Sequence, residues 1–129
     1  MVFTEYIVAK SPEVEELVTN WALSKDSVKR FIAYSAINNL GENKNIGDNF
    51  FNQFLPIIES SIQKEENNVK DAMNNSLLSW GQRNINLHSK TIKSLKKIGK
   101  VTVDYGETSC QTPDVLKILS SKRIVEKLS

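Results

Sequence analysis

A repeat with a period of 41 residues is the feature that most constrains the fold of this chain. Residues 67–86, NNVKDAMNNSLLSWGQRNIN, align with residues 26–45, DSVKRFIAYSAINNLGENKN, with five identities. Apolar character also matches outside this window, as in Leu17 with Ile58 and Phe54 with Leu95. A period of about 40 residues with two helices per unit is typical of HEAT or armadillo-type stacking. The repeat therefore predicts stacked helical hairpins, and the alternative is a plain helical bundle whose helices match by chance.

The composition indicates a single soluble domain. A chain of 129 residues is long enough to bury a substantial core. No apolar run reaches the roughly 18 residues of a membrane span, and the N-terminus lacks the apolar centre of a signal peptide. One cysteine, Cys110, excludes an intramolecular disulfide, and one histidine, His88, leaves no Cys/His zinc site. We therefore expect a cytoplasmic protein without a metal, another cofactor or a membrane contact.

The charge is distributed unevenly along the chain. Residues 1–66 contain six Lys/Arg and ten Asp/Glu, whereas residues 67–129 contain eleven and five. This asymmetry predicts that a polyanion would meet the second half. The alternative is that the two halves simply carry solvated surfaces of opposite charge.

Capping residues and apolar spacing predict six or seven helices. Their starts are expected near Ser11-Pro12, Asp26 or Ser27, Asp48 as a cap, Asn67, Asn86, Thr112-Pro113-Asp114, and Ser120 or Ser121. Pro56 lies inside the third helix and removes a backbone hydrogen bond, so a kink is expected near Asn52.

The apolar stripes predict which helix faces are buried. In the second helix the stripe is Val28, Phe31, Ile32, Ser35, Ala36 and Leu40. In the fourth helix it is Val69, Ala72, Met73, Ser76, Leu77 and Trp80. After Gly99, Val101 and Val103 predict a short extended segment. The chain is thus predicted to be one all-α right-handed array, with units at about 12–47 and 48–99 and an extension over 100–129.

Two lysines occupy the same position of successive units. Lys29 and Lys70 both lie near the start of a unit's second helix, and second helices line the concave face of HEAT-like arrays. Cations in a row suit a phosphodiester backbone, and Arg30 and Arg83 add guanidinium groups that bind phosphate with two bonds. These four residues are the predicted DNA-binding site. The alternative is that both lysines are solvated side chains.

Other candidate features are less specific. Five lysines between residues 90 and 100 form the densest basic cluster, which is expected on the convex side: Lys90, Lys93, Lys96, Lys97 and Lys100. Trp21 is predicted to lie in the core, and Trp80 fits either the core or a base-stacking surface. His88 is expected at the surface, and Cys110 in a loop without the partners of a nucleophile. No catalytic triad, phosphate loop or metal-ligand cluster is recognisable.

Two segments resemble the C-terminal part of bacterial DNA alkylation repair proteins, the HEAT-like, AlkD-related family. They are residues 69–84, VKDAMNNSLLSWGQRN, and residues 97–114, KIGKVTVDYGETSCQTPD. The family form of the second segment is closer to VDHGxTxCKTPDA, so Tyr105, Gln111 and Val115 depart from it. Residues 21–37, WALSKDSVKRFIAYSAI, resemble the family's unit of a tryptophan, a polar turn, a basic pair and an apolar helix.

This resemblance implies a curved array of HEAT-like hairpins that binds duplex DNA on a basic concave face. Family members that excise alkylated bases use a carboxylate and aromatic residues, with an arginine nearby. Of these family residues, only the arginine has a counterpart in this chain: Arg30 matches the second arginine of the family's basic pair. We therefore expect a DNA-binding helical-repeat protein whose glycosylase activity is undecided and whose catalytic residues are unknown. The alternative is a scaffold for protein–protein interaction, and the chain could also be part of a larger protein or homo-oligomer.

Overall fold

The computed structural model describes residues 12–41, 43, 46–104, 106 and 112–128, and this part of the chain contains helices and no strand. The helices are α1 (Pro12–Ala22), α2 (Ser27–Leu40), α3 (Asp48–Asn52), α4 (Leu55–Ser61), α5 (Asn67–Trp80), α6 (Ile85–Ile98), α7 (Val115–Leu119) and α8 (Lys122–Leu128), with a 3₁₀ turn at Ile62–Lys64. The all-α prediction is confirmed. The predicted Ser11 cap, Cys110 and half of the VDYGETSCQTPD loop lie outside the described residues.

Pro56 divides the third predicted helix into two pieces. α3 ends at Asn52, and Pro56 lies in the first turn of α4. A proline is tolerated there because the first backbone N–H groups of a helix have no intrahelical acceptor. The break predicted near Asn52 is therefore confirmed. Asp48, which was predicted to cap this helix, lies one position inside it instead, because Gly47 takes the capping position.

The helices stack as antiparallel pairs in two layers. α2 packs against α1 and, most extensively, against α5, which in turn packs against α7. In the other layer α4 packs against α6. The unit boundaries predicted from the repeat stay a prediction. α6 contacts both α4 and α7, so it begins a further pair of helices.

Small residues allow α2 and α5 to approach closely. Ser76 Oγ lies 3.1 Å from the carbonyl oxygen of Tyr34 and donates a hydrogen bond to it. Ser79 Oγ donates another to the carbonyl oxygen of Asn38, also over 3.1 Å. A Cβ at Gly41 would overlap Ser79 Oγ, so the end of α2 requires a residue without a side chain. The two helices thus meet almost backbone to backbone at this end.

The buried face of α2 differs from its predicted stripe. Ala36 and Leu40 are buried as predicted, together with Ala33, Tyr34 and Ile37. Val28, Phe31 and Ile32 are instead exposed, at 59%, 38% and 36%. The prediction was wrong because apolar spacing shows that a face is apolar but not which neighbour covers it. The stripe predicted for α5 is buried over its whole length.

Tyr34 lies at the centre of the core beside an aromatic cluster formed by Phe50, Phe51, Phe54 and Trp80. Its ring packs edge-on against Phe54, with the ring centroids 6.0 Å apart. The side chain is fully buried, and its hydroxyl has no hydrogen-bond partner among the described residues. Burial, with a smaller contribution from the charge of Glu65, raises the pKa of the Tyr34 hydroxyl well above its ordinary value of 10.0.

We expect Tyr34→Phe to leave the protein as stable or slightly more stable at pH 7, because it removes a buried unpaired hydroxyl. Above pH 10 the unfolded chain ionises Tyr34 while the folded chain keeps its proton, so wild-type stability falls as the pH rises. Tyr34→Phe removes that loss. Urea unfolding of both proteins between pH 7 and pH 11 measures the difference, and an advantage of the variant that does not grow above pH 10 would contradict this view of Tyr34.

Candidate nucleic-acid interface

Lys29 and Lys70 lie in the first turns of α2 and α5, the two helices in most extensive contact. The Nζ of Lys29 is 5.7 Å from the ring centroid of Trp21, and the side chain is exposed. The Nζ of Lys70 donates a long hydrogen bond of 3.4 Å to the carbonyl oxygen of Thr102. Neither contact neutralises the charge, so both ammonium groups are available to an anion.

Arg30 points toward the body of the protein. Its Nε and Nη2 donate to the two carboxylate oxygens of Glu65 over 2.7 and 2.8 Å, and its Nη1 donates to the Ser24 carbonyl. These hydrogen bonds with Glu65 raise the pKa of Arg30 above its ordinary value. The Glu65 side chain is only 9% exposed. Arg30 thus joins the α1–α2 turn to the segment before α5 and has every guanidinium nitrogen in use.

Arg83 holds together the loop between α2 and α3. Its Nη1 donates to the carbonyl oxygens of Gly41 and Asn43 over 2.8 and 3.1 Å, and its Nη2 donates to that of Ile46. The guanidinium carbon is 4.3 Å from the ring centroid of Phe51, and Nε lies 3.5 Å from Asp48 Oδ1. A planar cation with several donors fits such a set of carbonyl groups.

The structure therefore separates the four predicted DNA-binding residues. Lys29, Arg30 and Lys70 lie at the end of the array where α2 and α5 begin. Arg83 follows the opposite end of α5, about 20 Å from Lys70 at the helical rise of 1.5 Å per residue. Of the four, only the two lysines have cationic groups free of an ion pair or a set of acceptors.

Sequence reasoning missed that the C-terminal end of the lysine cluster, at Lys100, approaches this same end. The side-chain amide of Gln63 donates to the carbonyl oxygens of Ile98 and Lys100 over 3.1 and 2.9 Å. The C-terminus of α6 is thereby held next to the segment before α5, close to Lys70. All five lysines of the cluster are exposed, and the ion pair between Lys97 and Glu59 is long, at 3.9 Å. The signal in the sequence was that α5 and α6 follow each other as an antiparallel hairpin, which brings the end of α6 back to the start of α5.

A cleft of about 380 Å³ lies between α2 and α5. Its lining combines apolar side chains with amides: Phe31, Ile32, Ser35, Ala36, Asn38, Asn39, Asp71, Ala72 and Asn75. The amides can donate and accept hydrogen bonds, as contacts to sugar and phosphate require. The repeat did not identify this cleft, because Ser35 alone among the lining residues is identical to the residue 41 positions away from it in the repeat.

Trp80 is fully buried between Phe51 and Phe54, so it belongs to the core. Trp21, which was predicted to lie in the core, is half-buried and packs against the core instead. His88 was predicted at the surface, but it is half-buried, with Nε2 2.7 Å from the Leu119 carbonyl oxygen. Within the described part of the chain, no three His, Cys, Asp or Glu side chains are grouped as metal ligands would be.

None of the described helices combines the length and the apolar character needed to cross a lipid bilayer.

Comparison with solved structures supports the fold. The chain matches a protein from "a new family of proteins related to the HEAT-like repeat DNA glycosylases with affinity for branched DNA structures". The TM-score is 0.75 at 21% identity, over 97% of this chain and 56% of the other. The predicted stack of HEAT-like hairpins is therefore confirmed.

Two uncharacterized proteins of Listeria are similar in sequence. The Listeria innocua protein is 27% identical and the Listeria monocytogenes protein 26% identical, each over 121 residues. These alignments cover 91% of this chain, which spans about half the length of each relative. The family model described as "DNA alkylation repair enzyme" matches residues 2–106. The chain therefore belongs to the DNA alkylation repair enzyme family.

Proposed function

We propose that the chain binds DNA through phosphate contacts at the end of the array where α2 and α5 begin. The observation that carries this proposal is the register of Lys29 and Lys70, two unneutralised cations on adjacent helices. Neighbouring helix axes lie about 8–10 Å apart, so one DNA backbone can contact both ammonium groups. Family membership supports DNA as the polyanion.

Arg30 and Arg83 contribute to folding stability rather than to phosphate contacts. Arg30 fixes the first turn of α2 against Glu65, next to Lys29. Arg83 fixes the loop that joins α2 to α3, and through it the packing of α2 on α5. Their loss would therefore reduce folding stability before it affected DNA binding.

Two carboxylates near the start of α2 have structural partners, which favours holding DNA over excising a base. Stabilising the cation that develops at a glycosidic bond requires a positioned carboxylate. Asp26 Oδ1 accepts the Val28 N–H over 2.9 Å as the cap of α2, and Glu65 is paired with Arg30. Both carboxylates thus have structural partners.

The proposal predicts that Lys29→Gln/Lys70→Gln weakens DNA binding and reduces its salt dependence. The log–log slope of affinity against salt should fall by about two, because each phosphate contact contributes about one. The measurement is fluorescence anisotropy with a labelled duplex and a labelled four-way junction at several salt concentrations. The junction is included because the structural relative is described as having affinity for branched DNA.

Lys117→Gln/Lys122→Gln is the matched control, since it removes the same charge from exposed positions of α7 and α8. We expect this control to keep a slope close to that of the wild type. If the two double variants lost DNA affinity and salt slope equally, the effect would be one of overall charge, and the assignment to Lys29 and Lys70 would be overturned. An unchanged slope in Lys29→Gln/Lys70→Gln would do the same.

A separate prediction concerns Arg83. Arg83→Lys should lower the free energy of unfolding by about 2–4 kcal/mol, because a lysine cannot satisfy the same set of carbonyl groups. The DNA affinity of the folded protein should remain that of the wild type. Urea unfolding and anisotropy measure the two effects, with the exposed Arg123→Lys as the control for stability. A loss of affinity in folded Arg83→Lys would instead indicate a direct phosphate contact.

A further inference from the structure

The cleft between α2 and α5 has apolar walls that contacts to a phosphate or a sugar leave without a role. Phe31 and Ile32 line it and are 38% and 36% exposed. Its described lining also includes one carboxylate, Asp71, and no lysine or arginine. The carboxylate disfavours a second negative charge inside the cleft, because like charges repel. The lining therefore suits a neutral group with an apolar surface.

Two amide side chains supply the polar part of the same cleft. Asn39 on α2 and Asn75 on α5 are half-buried, and their side chains hydrogen-bond to no other described residue. An amide offers two donors and an acceptor, and asparagine binds the edge of a nucleobase in this way. A nucleobase combines an apolar face with a polar edge, so it can use the ring of Phe31 and both amides. Stacking on an aromatic side chain is a common way for proteins to bind unpaired bases.

The cleft opens beside the two cations that contact the backbone in the proposed function. Lys29 lies one helical turn before Ile32 on the same side of α2, and Lys70 immediately precedes Asp71. A nucleotide whose phosphates contact these lysines therefore has its base next to the cleft. A base inside a duplex shows only its edges, so it must leave the stack to face Phe31. That step costs least for a base without a partner.

We infer that the cleft, of about 380 Å³, binds one unpaired nucleobase of DNA, with its ring on Phe31 and its edge on Asn39 and Asn75. The phosphates on either side of that nucleotide contact Lys29 and Lys70. This inference rests on the proposed function and adds a preference to it. The chain binds DNA that has an unpaired base more tightly than it binds a continuous duplex.

The test compares three labelled DNAs by fluorescence anisotropy with the 129-residue chain. They are a continuous duplex, the same duplex with one bulged adenine, and the same bulge with an abasic site in place of the adenine. We expect the adenine bulge to bind at least about fivefold more tightly than the continuous duplex, which is the lower end of what one stacked base contributes. The abasic bulge keeps the flexibility of the backbone but has no base, so it should not show this gain.

Phe31→Ala should remove the preference for the adenine bulge and leave the affinity for the continuous duplex as in the wild type. Phe31→Trp should keep the preference, because an indole ring also stacks on a base. Val28→Ala is the matched control: Val28 is 59% exposed and lies one turn before Phe31, but it does not line the cleft. Circular dichroism checks that each variant is folded. Should Phe31→Ala fail to fold, Asn39→Ala/Asn75→Ala tests the polar side of the cleft and should likewise reduce the preference.

Equal affinity for the adenine bulge and the abasic bulge would overturn the inference, because backbone flexibility would then explain the preference. A preference that survives Phe31→Ala would overturn it too, as would an equal loss in Val28→Ala. The proposed function has its own readout, since binding of the continuous duplex that does not depend on Lys29 and Lys70 overturns that proposal. A wild-type chain that binds none of the three DNAs would contradict both. A preference for the adenine bulge that depends on Phe31 and not on Val28 supports the inference.

Discussion

The close packing of α5 on α2 is the interaction on which the rest of the structure depends. It requires small residues at the contact: Ala36 and Ala72 line the cleft between the two helices, and Ser76 Oγ donates to the Tyr34 carbonyl. At its end, Gly41 leaves space for the Ser79 hydroxyl. Because this contact sets α2 and α5 side by side, it also sets Lys29 and Lys70 in register. The shape of the core therefore determines the position of the charges.

The two kinds of basic residue have different roles. A guanidinium group is weakly hydrated and planar, so it can be largely removed from water when several acceptors surround it. Arg30 and Arg83 are in such places, bonded to Glu65 and to the carbonyl groups of a loop. An ammonium group is strongly hydrated and stays at the surface, as Lys29 does. The structural cations are therefore arginines, and the cations open to a phosphate are lysines.

The repeat, the helix pattern and the break at Pro56 were predictable from the sequence because they depend on local signals. The core position of Trp80 and the partners of Arg30 and Arg83 were not, because they depend on which elements meet in space. Val28, Phe31 and Ile32 show the limit most clearly. Their spacing indicates an apolar face, but only the three-dimensional arrangement shows that no described helix covers it.

Hydrogen–deuterium exchange of the wild-type chain, with and without a saturating four-way junction, tests the DNA-binding proposal most directly. We expect slower exchange in peptides that cover the starts of α2 and α5, residues 24–32 and 66–73, and at the end of α6. Peptides around Arg83 should be unchanged. Protection confined to residues 112–128, or to the Arg83 loop, would contradict the placement of DNA at Lys29 and Lys70.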